Sequence, residues 1–433
     1  MLSRKSFALL AAVAAGTLGT FAKAETVSAP STEQLTLVKP LNLQAAAAEP
    51  SRKPLMAGLN ALGLAKPLED ANINIGGFIE ASTTFYVDRS GAKLNNGRGF
   101  DAEDQDPTLN QVDIFVERTV DPSKGKFDIG GRIEWIYGGD ARFIHSTGLF
   151  DYQGAAPGDN DNQFDPVQFY GDLAIPVGNG LKVRFGKFVT PAGFEVINPT
   201  QNWLYSRGLL FTYLLPFTHT GVVVNYSCTD ALTTGIGVVR GWDDALEDKN
   251  NDGVTILVTA GYAFADKKSN LLFTGLFGPE YAGETTSTRS LFDFVFTHKF
   301  SDEWAFAVEA DLLWETDKDS AFGPSSEDGF AMGFGGWASY TINKYVQANG
   351  RLEYLYDGNG MRFTPGLSNN VYSATIGVTV TPLPDNEIGS NLKIRPEMRY
   401  DYCANGLNTA TGAETFGGEN NQLTFAIEGY FTF

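Results

Sequence analysis

From Asn72 to the last residue, short and long connections alternate without a break, and few folds accommodate that asymmetry. Short polar turns fall at 121–125, 178–180, 229–230, 265–269, 301–303 and 343–344. Long polar stretches lie between them at 88–108, 138–165, 189–217, 242–253, 279–288, 315–329, 357–370 and 403–421. The connection 382–391 occupies a short-turn position, although it is longer than its counterparts. A soluble β-sandwich has no reason to keep its long loops on one side of so many hairpins. An outer-membrane barrel does, because its periplasmic rim carries tight turns and its outer rim long loops.

The segments between these connections number about sixteen and run near ten residues, the length of a tilted strand crossing the hydrocarbon core. In 304–314, Trp304, Phe306, Val308, Ala310, Leu312 and Trp314 fall on one face, with Glu309 and Asp311 on the other. The two tryptophans then sit at opposite membrane interfaces, where amphipathic rings settle. In 392–402, Lys393, Arg395, Glu397, Arg399 and Asp401 share a face opposite Leu392, Ile394, Pro396, Met398, Tyr400 and Tyr402. A dry core cannot hold that many charges, whereas a water-filled lumen can. The final segment, 422–433, alternates Leu423, Phe425, Ile427, Gly429, Phe431 and Phe433 with Thr424, Ala426, Glu428, Tyr430 and Thr432. It is expected to pair back to 73–87, since closure alone leaves no strand edge unpaired in lipid. The fold class is therefore all-β, a closed antiparallel transmembrane barrel of about 16 strands (about 14–18).

The first 70 residues do not alternate. Arg4 and Lys5 precede a short apolar core at 7–18, and Ala22-Lys23-Ala24 reads as a cleavage site. Residues 1–24 are expected to be a cleaved export signal, and 25–70 a periplasmic linker with one short helix over 54–64 that stops near Gly63. The barrel is expected over 71–433. Gly 48, Phe 32 and Tyr 17 are high counts in a chain of near-neutral mean hydropathy, −0.14, which is the average of lipid-facing and water-facing residues. The formal charge of −19 argues against a nucleic-acid partner. Cys228 and Cys403 fall near opposite rims, too far apart for a disulfide.

Within 168–243, several elements keep a specific order: Gly186-Lys187-Phe188-Val189-Thr190-Pro191-Ala192-Gly193-Phe194-Glu195, then Asn198-Pro199 and Ser206-Arg207. Pro216-Phe217-Thr218-His219-Thr220-Gly221 and Gly241-Trp242-Asp243 complete the set. This region resembles the β-barrel porin family described as OmpL-like (porin type 2). The resemblance implies an outer-membrane pore-forming protein and supplies no catalytic residues. Read on its own residues, 189–217 is an ordered external loop shaped by Pro191, Gly193, Pro199 and Pro216 and holding six aromatics. It either folds into the barrel mouth or caps the rim.

Selectivity in such a pore comes from inward charges at its narrowest level. The alternation places Arg132, Glu134, Lys182, Arg184, Arg289 and Asp293 inward, with Glu309, Asp311, Arg351 and Glu353. The ladder Lys393, Arg395, Arg399, with Glu397 between, is expected either to face an acidic loop across the lumen or to pair along the wall. A second constriction is expected from 138–165, which carries Arg142, His145, Asp151 and Asp165. Asp248, Asn250, Asp252 and Gly253 match the opening of a calcium loop, but Thr259 stands where the bidentate acid belongs, so a solvated loop is the simpler reading. Otherwise no cofactor is expected. Histidine is scarce, and His219 with Asp243 or Ser206 fits no catalytic spacing, so no enzyme is expected.

These readings converge on an outer-membrane porin for small hydrophilic solutes or ions. The alternative is a receptor or structural barrel whose external loops bind a partner or surface polymer. The expected partners are outer-membrane lipid, the barrel-assembly machinery acting on Phe433, the diffusing solutes, and two further copies in a homotrimer.

Overall fold

A computed structural model describes residues 53–87, 97–101, 105–151, 161–245, 250–316, 319–320, 323–324, 328–363, 368–404, 407–408, 413–414, 416 and 419–433. The expected export signal, and the linker up to residue 52, lie outside the described residues. Sixteen strands form one closed ring. They are β1 (Ile73–Tyr86), β2 (Thr108–Arg118), β3 (Asp128–Gly138), β4 (Gln163–Ile175), β5 (Leu181–Val189), β6 (Thr218–Ser227), β7 (Leu232–Val239) and β8 (Thr255–Ala263). The ring continues with β9 (Ser269–Gly278), β10 (Arg289–Lys299), β11 (Trp304–Glu315), β12 (Gly329–Asn343), β13 (Val346–Asp357), β14 (Asn369–Val380), β15 (Leu392–Cys403) and β16 (Asn421–Thr432). Neighbours in sequence are neighbours in space, all antiparallel. The final segment closes the barrel as its pattern predicts: β1 and β16 pair from Phe78↔Thr432 to Tyr86↔Thr424. Beyond that ladder, Gly77 and Phe433 exchange backbone hydrogen bonds of 3.0 and 2.9 Å.

The burial pattern inverts that of a soluble protein. On β11, Trp304, Val308 and Trp314 are exposed while Glu309, Asp311 and Glu315 are buried. On β16, Phe425 and Ile427 face outward and Thr424, Ala426 and Glu428 are buried. An apolar belt turned outward with polar groups turned in is the arrangement a lipid solvent selects. Among the described residues no helix is long and apolar enough to cross a membrane.

Two boundaries differ from the sequence reading. β4 begins at Gln163, inside the connection expected over 138–165, because the ladder runs past Pro166 through a register shift between Glu134 and Ile136 of β3. A proline lacks the N–H a regular ladder needs, and a bulge removes that need. The helix expected over 54–64 is α1 (Pro54–Ala61); Gly63 turns the chain at φ +75°, and α2 (Ala65–Asp70) follows where a linker is expected. Pro67 lies in the first turn of α2, where its missing N–H leaves no helical bond unmade. Neither Cys228 nor Cys403 is in a disulfide.

The apolar core lies inside the ring. The connection between β5 and β6, here loop L3, turns inward and contains a short helix, α3 (Leu209–Tyr213). Trp203, Leu209, Leu210, Leu214 and Leu215 of L3 pack in one cluster with wall residues that include Leu257, Leu276, Leu291, Leu313, Trp337 and Leu355. Of the two placements open from sequence, L3 takes the lumen.

Candidate pore constriction

L3 shapes itself before it meets the wall. Asn198 accepts the Thr200 amide (2.9 Å) and starts a short 3-10 turn at Pro199–Gln201. Asn202 closes the preceding bend, accepting from the Val196 amide (2.9 Å) and donating to the Val196 carbonyl (2.8 Å). Arg207, almost wholly buried, donates to the carbonyls of Val196 (3.0 Å), Tyr205 (2.8 Å) and Ile197. Each of these satisfies a backbone group that would otherwise be buried without a partner.

The wall then holds the loop by its main chain. Gly193 and Phe194 donate their amides to Asp293 on β10 (3.1 Å) and Glu309 on β11 (2.7 Å). Glu195 pairs with Arg351 on β13 (2.6 Å) and accepts from the Trp337 indole on β12 (3.2 Å) and the Gly208 amide (2.6 Å). Glu353 accepts the Leu210 amide (3.2 Å) and pairs with Arg351 (2.9 Å). On β15, Glu397 accepts from the Tyr205 amide (2.9 Å) and from Ser206. Arg399 donates to the Arg207 carbonyl (2.7 Å), and Arg395 to the carbonyls of Pro199 (3.1 Å) and Asn202. From the opposite side, Ser82 of β1 meets the Tyr205 hydroxyl (2.7 Å) and Gln111 of β2 donates to the Ile197 carbonyl (3.2 Å). L3 therefore bridges the lumen from β1 and β2 to β10–β13 and β15.

Of the two arrangements open to the ladder, Arg395 and Arg399 take pairing along the wall. Arg395 and Arg399 do not face an acidic loop, because L3 holds a single acid, Glu195, and that acid goes to Arg351. The two arginines pair with Glu428 and Asp401 on the wall and spend their remaining N–H groups on loop carbonyls. Lys393, nearer the periplasmic rim, donates to Thr381 (2.7 Å).

The remaining expected pore residues lie elsewhere on the wall. Arg132 pairs with Glu134 (2.8 Å) and Glu117 (3.3 Å). Arg184 pairs with Asp172 through two hydrogen bonds of 2.9 Å and stacks on Tyr170. Lys182, beside it on β5, is partly exposed. Arg289 pairs with Glu315 at the outer end of the barrel, over the Trp242 ring. Asp311 takes no partner from L3 and lies beside Asp293 and Glu309.

The loop after β3 packs against other elements. His145 bonds Asp165 (3.0 Å) and Gln163 (2.7 Å) at the start of β4, Asp151 accepts the Gly148 amide (2.7 Å), and Arg142 donates to the Gly139 carbonyl (2.9 Å). Burial opposes charge on His145, but the hydrogen bonds to Asp165 and Gln163 outweigh it and raise the imidazole pKa. Asp140 in the same loop is pushed up to about 6 by burial. In the expected calcium loop, Asp248 lies outside the described residues, Asn250 donates to Asp244 (2.8 Å) and Asp252 is exposed. His219 is buried against the Gly241 carbonyl (2.9 Å) and Thr190 (3.1 Å), with neither Asp243 nor Ser206 as its partner. Asp243 instead accepts the Phe217 and Thr218 amides.

Sequence reading missed Glu195 and Arg207, the charged residues on which L3 turns. Both stand in the ordered segment quoted above, but strand alternation assigns no role to a loop residue. The profile of the family described as "Putative beta-barrel porin-2, OmpL-like" matches residues 72–433. The chain belongs to this family. It forms a channel of the outer-membrane porin type.

Solved structures agree on the fold. OprB of Pseudomonas putida is similar with a TM-score of 0.57 at 11% identity, over 89% of this chain and 100% of that one. The outer membrane channel DcaP of Acinetobacter baumannii gives 0.53 at 11% identity, over 83% and 97%. The trimer form of OmpT, an outer membrane protein of Vibrio cholerae, gives 0.50 at 13%, over 83% and 99%. At these identities the likeness shows the barrel alone. No curated protein matches the porin by sequence.

Proposed function

We propose that this porin conducts small hydrophilic solutes and ions by passive diffusion, with L3 setting the aperture. One observation carries the reading: L3 crosses the lumen and is held there by buried wall carboxylates and arginines rather than lying over the rim. Solutes then pass between L3 and the wall, where Lys182, Arg184, Arg132 and Glu134 are the selectivity-determining groups and Arg289 stands at the outer entrance. The protein works as a channel and not as an enzyme, and needs no cofactor for conduction; calcium on Asp248, Asn250 and Asp252 would be accessory to the outer loop.

Export through a cleaved signal at 1–24, and insertion by the assembly machinery reading the aromatic β16 with Phe433, complete the proposed route to outer-membrane lipid. A homotrimer is the proposed assembly, supported by the trimer form of the Vibrio cholerae OmpT relative. Planar-bilayer recording of the purified folded porin tests the function. Stepwise conductance with flux limited by solute size is expected. A folded barrel that gives no conductance would instead favour a receptor or structural role for the external loops.

A further inference from the structure

We propose that Asp293, Glu309 and Asp311 form a calcium site at the root of L3. The three carboxylates are buried, and oxygens from all three lie within 4.8 Å of one another. Asp293 and Asp311 stand directly opposite each other across the β10–β11 ladder, and Glu309 lies one inward position along β11. Like charges directly opposed on a sheet repel. Among the described residues none of the three has an ion pair with Lys, Arg or His.

The orientation of the oxygens points to a ligand. Asp293 and Glu309 each give one oxygen to an L3 amide, from Gly193 and Phe194. Their other oxygens, Asp293 Oδ1 and Glu309 Oε1, are buried with no hydrogen-bond partner, as are both oxygens of Asp311. Three ionised carboxylates so close, with the Thr274 hydroxyl as the neighbouring side-chain donor, are a costly arrangement unless a cation joins them. Calcium binds oxygen at about 2.3–2.6 Å, so oxygens on opposite sides of one ion lie about 4.6–5.2 Å apart. The cluster fits within that span. Magnesium suits it less, because it binds at about 2.0–2.1 Å and keeps several waters, and L3 closes over these carboxylates.

Such an ion ties the wall to the loop it constrains. Gly193 sits at φ +88°, and a Cβ there would lie 2.2 Å from a Leu215 methyl carbon and 3.5 Å from Glu309 Oε1. The glycine lets the L3 backbone approach the carboxylates closely enough to donate to one of them. With calcium in place, Asp293 and Glu309 are held by the ion on one side and the L3 amides on the other.

The test is calcium titration by calorimetry of the full porin, folded in detergent and stripped with EGTA. One calcium per chain is expected at this site, with affinity weakened on the order of tenfold or more in Asp311→Asn, Glu309→Gln and Asp293→Asn. Folding of each variant is read from its heat-dependent gel shift, and any one that folds carries the comparison. An Asp252→Ala variant keeps the lumen equivalent and separates it from the external loop. Absence of calcium binding to the folded wild type overturns the proposal. So does binding that survives all the lumen variants, or binding that disappears with Asp252→Ala. None of these outcomes depends on conduction, so the channel reading stands or falls separately.

Discussion

Two arcs of the wall turn charge inward and use it differently. On β3–β5, Arg132 binds Glu134 and Arg184 binds Asp172, so the strands satisfy one another and Lys182 stays partly exposed. On β10–β15, Asp293, Glu309, Arg351, Glu353, Glu397 and Arg399 reach past their neighbours to the backbone or side chains of L3. Between these arcs, β6–β8 contain no Asp, Glu, Lys or Arg. The same residue types thus line a wall in one arc and anchor a constriction in the other. What separates them is whether a loop lies within hydrogen-bond reach.

The sharpest way to break this comparison is to remove an anchor. Arg351→Ala leaves Glu195 and Glu353 buried without their guanidinium, and removing one member of a buried pair costs about 3–5 kcal/mol. Denaturant unfolding should show that loss, and single-channel conductance should rise as L3 loosens. Arg395→Gln with Arg399→Gln comes next, because the loop carbonyls lose donors. Here larger conductance and noisier openings are expected, rather than a pure change in selectivity. An unchanged conductance in both variants would show that L3 does not limit the aperture.

The opposite arc should respond in the opposite way. Lys182→Gln removes a partly exposed charge, so stability should change by no more than about 0.5 kcal/mol while the reversal potential in a salt gradient moves toward cations. Equal responses from Lys182→Gln and Arg351→Ala would erase the distinction between the arcs. The smallest expected effect lies at the outer rim. Burial pushes the Glu280 carboxyl up to about 7 from an ordinary 4.5, against the pull of Arg289 and Thr255. The folded state then holds this proton more tightly than the unfolded chain, so its stabilisation is full below about pH 4.5 and is lost as pH rises through about 7. Melting temperature should fall less steeply between pH 5 and 8 in Glu280→Gln than in the wild type.

The barrel was legible because its rules are local. Period-two alternation in 304–314 and 392–402 states which face meets lipid, and the observed exposure of Trp304, Val308, Trp314 and Met398 follows it. The β4 boundary was not legible, since a bulge at Pro166 lets a strand run through a residue that ordinarily marks its edge. The constriction was half legible. Prolines and aromatics mark L3 as ordered, but two destinations remained open, and a wall arginine on the sequence looks the same whether it meets a carboxylate or a loop carbonyl.

The sequence by itself therefore determined a closed barrel of about sixteen strands, the lipid and lumen faces, the closing pair of β1 with β16, and the rim that bears long loops. These follow from a side-chain period of two and from the absence of backbone partners in hydrocarbon. Only the tertiary structure decided that L3 enters the lumen, that Glu195 and Arg207 organise it, and that Asp293, Glu309 and Asp311 meet. The contacts that seat the loop on the far wall join residues more than a hundred positions apart, such as Phe194 with Glu309 and Glu195 with Arg351. No periodicity encodes them, because they arise only when the ring has closed around the loop.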